Sequence, residues 1–586
     1  MAEINEYTLH QRQILMFVLV CVFVITICAV TLSILIIDPA LIEEEAAYSG
    51  KQHFLLIVVD DLRPVLGCYG DEKAITPNID QLAARSVLFK NAYTQQALDG
   101  PSRISFLTGR RPDNLHLYDE GFYWRDFVGD FVTLPQHFKN HGYETVSIGK
   151  VFSPGLLSNE TDDYPQSWSR VPYHPPSEDL EEFCQLPDNE TAFNLICPVK
   201  LDQTSLPDIE STEFAIDFLK NKSREENKTG PFFLAVGYNK PHIPFKFPKE
   251  YLDLYPLESM DLAINHTIPP RLPKISWNPW MDIREKDDVK NLNVNFPYGP
   301  LPEDLQKRIR QAYYSSVSYI DDQIGKILNA LEESKFADYT TIVLLGDNGW
   351  SLGEHQEWSK YSNFEVALRV PLLVYIPELM EKEREPFHHI PVIRKQTSTF
   401  ENSPSLKSSN PSAKYVTEEL VELVDVFPTL AEIANIAIPP ICRLYLTNFC
   451  SEGLSFFPLV QHLIIDPWID FSWKQAAFSQ YPRPSLVAQN NSDRPSLEDI
   501  NYMGYSIRTA DFHYTEWLRF DVEELKPEWP VIISRELYDH RLDPHEINNV
   551  CDDDEYSNTM IELSKRLKKG WHHAMPPGSF DDFFEN

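Results

Sequence analysis

The sequence predicts an α/β protein: a large domain on a central, mostly parallel sheet over residues 51–455, then a smaller C-terminal α+β subdomain over residues 456–586. Three observations predict it. After residue 50, short apolar runs alternate with amphipathic stretches. Two of those runs end in carboxylates, VVDD at Asp60 and Asp61 and LLGDN at Asp347 and Asn348, as strands of an open α/β sheet do beside a ligand crevice. Beyond Cys450 the chain turns aromatic, Pro-rich and short-stranded, as a separate smaller unit would.

In chain order, residues 1–13 form a short tail, and residues 14–37 (ILMFVLVCVFVITICAVTLSILII) run 24 residues without a charge. That is long enough to cross a bilayer as a helix. The apolar core of a cleaved signal peptide spans only about 7–15 residues, so a retained, single-pass signal anchor is expected. Arg12 before the run and Asp38, Glu43, Glu44 and Glu45 after it favour a cytosolic tail, with the rest lumenal beyond a linker at 38–50. Strands are expected at 54–60 (FLLIVVD), 145–149 (TVSIG), 231–237 (PFFLAVG), 341–347 (TIVLLGD) and 371–376 (PLLVYI). The clearest helix is expected from 302 to about 331, where Leu305, Ile309, Ala312, Val317, Ile320, Ile324, Ile327 and Leu331 fall on one face. Residues 387–414, rich in Ser, Pro, Asn and Lys, read as a mobile surface insertion.

Charge and cysteines narrow the function. A formal charge of −35 over 586 residues argues against a nucleic-acid partner, because no net basic field neutralises phosphates. Six sequons, at Asn159, Asn189, Asn221, Asn227, Asn265 and Asn490, fit N-glycosylation in a secretory lumen. The close pairs Cys184/Cys197 and Cys442/Cys450 could each staple a loop there, with buried free thiols as the alternative.

The chemistry gathers at the strand ends. Asp60, Asp61, Asp347 and Asn348 form an all-oxygen set, which suits Ca²⁺, with Mg²⁺ as the alternative, better than Zn²⁺. Acidic residues that only cap a following helix or loop are the competing reading. The stretch ALDGPSRISFLTGRRP turns on small residues into a helix, which sets Asp99 at a helix N-terminus facing the metal and Arg103 beside it.

The order of VVDDLRP, PSRISFLTGRRP, GK, KPHIPF and DNGWSLGEH, closed by ELYDHRLDPHEINN, resembles the sulfatases of the alkaline phosphatase superfamily. The resemblance runs from about His53 to Asn549. Within that family it is similar to the subgroup acting on 2-O-sulfated iduronate, which implies sulfated glycosaminoglycan ends (heparan and dermatan sulfate) as partners. It also implies a lysosomal or earlier secretory lumen. By resemblance, Asp60, Asp61, Asp347 and Asn348 match the family's Ca²⁺ ligands, although the subgroup commonly has His where Asn348 stands. Arg103, Lys150, His242 and Lys360 match the basic residues that hold the sulfate.

Two positions depart from the pattern. The family's nucleophile Cys, converted to formylglycine, is replaced by Asp99, so no aldehyde is expected. The subgroup's His in GKVFHPG is replaced by Ser153. The expected outcome is an inactive or impaired protein that keeps metal and sulfated-glycosaminoglycan binding, with Asp99 free to become another metal ligand. The competing expectation is an active metal-dependent sulfuric or phosphoric ester hydrolase using Asp99 or a metal-bound water. A relic whose metal only holds the sheet ends together is the third.

Overall fold

The computed structural model describes residues 52–577 and 579, apart from 154, 186–189, 202–204, 226–229, 381–384, 394–412, 444–446 and 469–470. The apolar run at 14–37 lies outside the described residues; among those, no helix is long and apolar enough to cross a membrane.

Seven strands build the central sheet: β1 (His53–Val59), β2 (Val87–Tyr93), β3 (Glu144–Gly149), β4 (Phe232–Tyr238), β5 (Thr340–Gly346), β6 (Arg369–Tyr375) and β7 (Tyr415–Glu422). Their order is β7-β2-β6-β5-β1-β4-β3. β1 is parallel to both β4 and β5, β3 to β4, and β7 to β2, whereas β6 runs antiparallel to β2 and β5. All five expected strands are present, and the sheet is mostly parallel as expected. Every side chain of β1 is buried, as its unbroken apolar run requires when helices cover both faces.

Four helices matter for the site: α1 (Pro77–Ala83), α2 (Asp99–Thr108), α3 (Leu134–Asn140) and α4 (Pro207–Arg224). The long helix expected from 302 is α5 (Glu303–Glu333). Ile309, Ala312, Ile320, Ile324, Ile327 and Leu331 are buried along it. Its buried Asp321 accepts the amides of Asn78 (3.1 Å) and Ile79 (2.7 Å), so α5 caps α1 across the core.

The C-terminal sheet is antiparallel: β8 (Ala477–Arg483), β9 (Tyr502–Arg508), β10 (Phe512–Asp521) and β11 (Lys526–Asp539) in sequence order. Helix α6 (Ser557–Lys569) closes it, packing Leu563 and Leu567 against Met503, Ile507, Tyr514 and Leu537. The expectation of short strands fails here. β11 is 14 residues long, and its Pro527 and Pro530 are tolerated because it is the edge strand.

Three smaller expectations are resolved by burial. The pairs Cys184–Cys197 and Cys442–Cys450 are disulfides, and Cys68 and Cys551 are free thiols. The expected surface insertion does not begin at Phe387. That ring is buried against Tyr375 and lies 4.6 Å beneath the Arg85 guanidinium, and His389 Nε2 lies 2.8 Å from Asp322 Oδ1. Among the sequons, Asn159, Asn221 and Asn490 are exposed, but Asn265 is buried and its Nδ2 donates to His545 O at 2.8 Å. Asn189 and Asn227 lie outside the described residues.

Candidate functional site

The site forms where β1 and β5 end side by side. Their register sets Val59 opposite Gly346, so Asp60 and Asp61 emerge next to Asp347 and Asn348. Asp61 takes a left-handed backbone (φ 58°), and its amide donates to Asp347 Oδ1 at 3.0 Å. Asn348 donates its own amide to the same oxygen (2.8 Å) and its Nδ2 to Asp61 Oδ1 (2.6 Å). Tyr313 of α5 fixes the turn by donating to Asp61 O at 2.7 Å.

The basic residues arrive from four other segments. Arg103, one turn into α2, donates Nε to Asp347 Oδ2 at 2.9 Å and sets Nη2 3.4 Å from Asp60 Oδ1. Lys150 follows β3, whose last residue, Gly149, has φ 66°, and a Cβ there would lie 2.3 Å from Gly237 O. Only glycine lets the chain pass that close and present Lys150 to the crevice. Lys150 Nζ bonds Asp60 Oδ2, and Asp99 Oδ2 at 2.6 Å. Lys360 Nζ bonds Asp61 Oδ1 at 2.7 Å, and Asp99 Oδ1. His242, in the loop after β4, lies close enough to Asp60 and Asp99 for their ligand atoms to fall within 4.8 Å of one another.

Asp99 is therefore where the sequence sets it, first residue of α2, with one carboxylate oxygen on each lysine. Burial alone would push its carboxyl up; Lys150 and Lys360 overcome that and hold it well below the usual range. The same charges and burial hold the His242 imidazole well below its ordinary value, so it is neutral.

Sequence reasoning missed Glu120. Its Oε1 accepts the Gly100 amide at 2.9 Å, at the N-terminus of α2, and the Ser153 hydroxyl at 2.9 Å. Ser153 is thus not simply a lost histidine but the partner of a second carboxylate. Nothing in YDEG signals this, because the contact joins residues 20 and 33 positions apart.

The charges decide what the site can hold. Asp60, Asp61, Asp99, Asp347 and Glu120 face three permanent cations, Arg103, Lys150 and Lys360. Arg494 also acts on Glu120, so the net excess is one negative charge before a cation binds. Without one the carboxylates cannot all ionise. Burial pushes Asp347 up to about 7, Asp61 well above its ordinary range, and Glu120 up as well. Asp60, Asp61 and Asp347 form one cluster of ligand-type oxygens. Asp60 Oδ1, Asp61 Oδ2 and Asn348 Oδ1 are buried without a hydrogen-bond donor. Buried oxygens of that kind are costly unless a cation takes them, so these residues fit a hard metal ion.

Comparison with known proteins follows the same lines. The family model described as Sulfatase matches residues 52–436. The chain is 48% identical over 524 residues to iduronate 2-sulfatase of Mus musculus, spanning 87% of this chain and 93% of that one. It is 48% identical over 516 residues to iduronate 2-sulfatase of Homo sapiens, spanning 85% and 91%. Among solved structures, a phosphonate monoester hydrolase from Silicibacter pomeroyi shares the fold with a TM-score of 0.63 at 19% identity, over 90% of this chain and 96% of that one. A protein solved with its substrate D-glucosamine-2-N,6-O-disulfate shares it at 0.62 and 20% identity, over 89% and 97%. Strand-end carboxylates, the helix-borne position 99, the family match and the long identity lead to one conclusion: this chain belongs to the sulfatase family.

Proposed function

We propose that the protein is a membrane-anchored, lumenal member of the family that binds Ca²⁺ at Asp60, Asp61, Asp347 and Asn348 and does not turn over sulfate esters. The observation that carries this is Asp99 bonded to both Lys150 and Lys360. The resemblance gives those lysines to the substrate's sulfate; here a carboxylate of the chain itself holds them. Glu120 does the same at the α2 amide end. With one dication bound, Asp99 and Glu120 still offset the charge of the cations nearest them, so the pocket attracts a further anion less than a site without those two carboxylates would.

Each residue then has a physical role. The cation would neutralise the buried strand-end oxygens. Arg103 orients Asp347 through its Nε, Lys150 and Lys360 lock Asp99, and neutral His242 adds no charge. Asp99, which clusters with Asp60 and His242, would be a further ligand candidate. Formylglycine chemistry has no precursor here, since Asp99 cannot become an aldehyde. Sulfated glycosaminoglycan ends remain the ligand class, by the likeness to iduronate 2-sulfatase, but the pocket is a poor place for the sulfate itself. The anchor at 14–37, a domain boundary near 455/456 and lysosomal residence belong to the same proposal.

The test is turnover of an aryl sulfate and a 2-O-sulfated iduronate substrate by the full-length chain with Ca²⁺ present, at pH values on both sides of neutrality. The expected result is no turnover above a matched Asp347→Ala variant. Turnover that disappears on Asp99→Ala would overturn the proposal and make Asp99 a working nucleophile.

A further inference from the structure

A second positively charged region lies away from this pocket, at the C-terminal end of α6. The stretch KRLKK, Lys565 to Lys569, stands out in a chain of net charge −35. Lys568 and Lys569 line two neighbouring cavities. The first, of about 670 Å³, is also lined by Lys565, Tyr514 and, from β11, Arg535. The second, of about 270 Å³, is also lined by Trp529 and Trp571.

Unlike the pocket lysines, these cations are held loosely or not at all. Lys565, Lys568, Lys569 and Arg535 are all exposed. The nearest carboxylate approaches are loose: Arg535 Nε lies 3.8 Å from Glu516 Oε1 and Lys568 Nζ 4.0 Å from Glu516 Oε2. Among the described residues, Lys565 and Lys569 have no ion pair. Acids at the base of the smaller cavity are already engaged: Asp113 accepts Gln480 (2.9 Å) and Tyr505 (3.1 Å), and Glu452 accepts the Arg111 amide (2.6 Å).

Complementing the helix dipole explains cations in the last turn of α6. It does not explain Arg535, which comes from the sheet; of the two half-buried tryptophans beside the lysines, Trp529 packs against Tyr505 and Trp571 stacks on His572, and each turns its remaining surface to the smaller cavity. Side chains three and four residues apart share a helix face, so Lys565, Lys568 and Lys569 form one row along the larger cavity, and Lys568 and Lys569 carry it on to the smaller one. Indole faces next to that row offer flat apolar surface, and the row offers charge.

We propose that this double groove binds a sulfated polysaccharide chain, its sulfates on Lys565, Lys568, Lys569 and Arg535 and its sugar faces on Trp529 and Trp571. The site is independent of Asp99 and of the metal. It holds the polymer away from the strand-end pocket, so binding here does not require cleavage there.

The experiment measures binding of a heparin-derived octasaccharide to the full-length chain in detergent at low salt. Lys565→Gln/Lys568→Gln/Lys569→Gln should weaken it about tenfold or more, because contacts to a polyanion are chiefly electrostatic. Omitting Ca²⁺ should leave octasaccharide binding within about twofold, because the groove shares no residue with the strand-end pocket and sites without shared partners do not couple. Trp529→Ala/Trp571→Ala should weaken the octasaccharide while leaving inorganic polyphosphate binding intact. Thermal midpoints within a few degrees of the parent, about the shift expected of surface changes, show that the triple variant is folded. Absence of octasaccharide binding, equal binding by the folded triple variant, or equally tight binding to phosphatidylserine vesicles would each overturn the proposal. The last would assign the groove to a membrane surface.

Discussion

The strand-end pocket and the groove at the end of α6 both collect cations, yet they differ in what those cations face. In the pocket, Arg103, Lys150 and Lys360 are buried, and each is bonded to at least one carboxylate. In the groove, Lys565, Lys568, Lys569 and Arg535 are exposed and at most loosely paired. Counting basic residues would rank the two regions alike. What separates them is how closely an acid of the same chain holds the charge: the pocket cations are bonded to carboxylates, whereas in the groove Glu516 stands 3.8 Å from Arg535 and 4.0 Å from Lys568.

The largest effect should come from removing the acid that ties the pocket together. Asp347→Ala strips Arg103 of its closest carboxylate and leaves the Asp61 and Asn348 amides without their acceptor. Breaking a buried pair from one side costs about 3–5 kcal/mol, which chemical denaturation should read, together with loss of Ca²⁺ binding. The groove should still bind the octasaccharide in the fraction that remains folded.

Next in size is conversion of the pocket toward the groove's condition. Asp99→Asn leaves Lys150 and Lys360 without their shared carboxylate, and in the Ca²⁺-loaded protein the pocket gains one positive charge. Removing an opposing charge at about 4 Å is worth a few kcal/mol near a protein. Calorimetric titration with inorganic sulfate should therefore show binding tighter by roughly 100-fold than in the parent.

Acid response should separate the regions further. Asp347 sits at about 7 in the folded, metal-free protein, above the ordinary 3.8, so the folded state holds a proton that the unfolded chain releases. This group's share of the stability of the metal-free protein should fall as pH rises from about 4 to about 7, and Ca²⁺ should remove that share of the slope by replacing the proton, leaving the share of distant raised acids such as Asp208 and Asp493. The raised Asp61 and Glu120 act in the same direction, whereas Asp60 and Asp99, held low, contribute only at lower pH. Denaturant midpoints with and without Ca²⁺ across that window test the sign. The smallest effect is that of salt. Raising ionic strength toward about 0.5 M should weaken groove binding severalfold and leave the buried pairs intact, because screening acts on exposed charge.

Much of this was legible before any coordinates. Apolar runs closed by Asp60/Asp61 and Asp347/Asn348 revealed two sheet strands and the metal-type oxygens together, because a parallel sheet aligns strand ends. The turn before Asp99 revealed the start of α2. Lys150, His242 and Lys360 were reachable only through resemblance, since each stands on a loop where no periodicity marks it. Two strands of the central sheet escaped notice for a related reason. β2 carries Lys90 and Asn91 in mid-run, and β7, at the sheet edge, alternates buried and charged residues weakly. Glu120 was invisible because its role exists only once Gly100 and Ser153 come together around it.

The buried sequon at Asn265 gives the fold a memory of the order in which it was made. Its amide nitrogen is donated to the carbonyl of His545, 280 residues downstream, so that contact cannot form until almost the whole chain has been synthesised. A lumenal chain would expose Asn265 to the glycan-transferring machinery well before then. A sugar attached there would not fit the buried site of the finished fold, so the C-terminal subdomain can dock in its native place only on a chain left unmodified at Asn265.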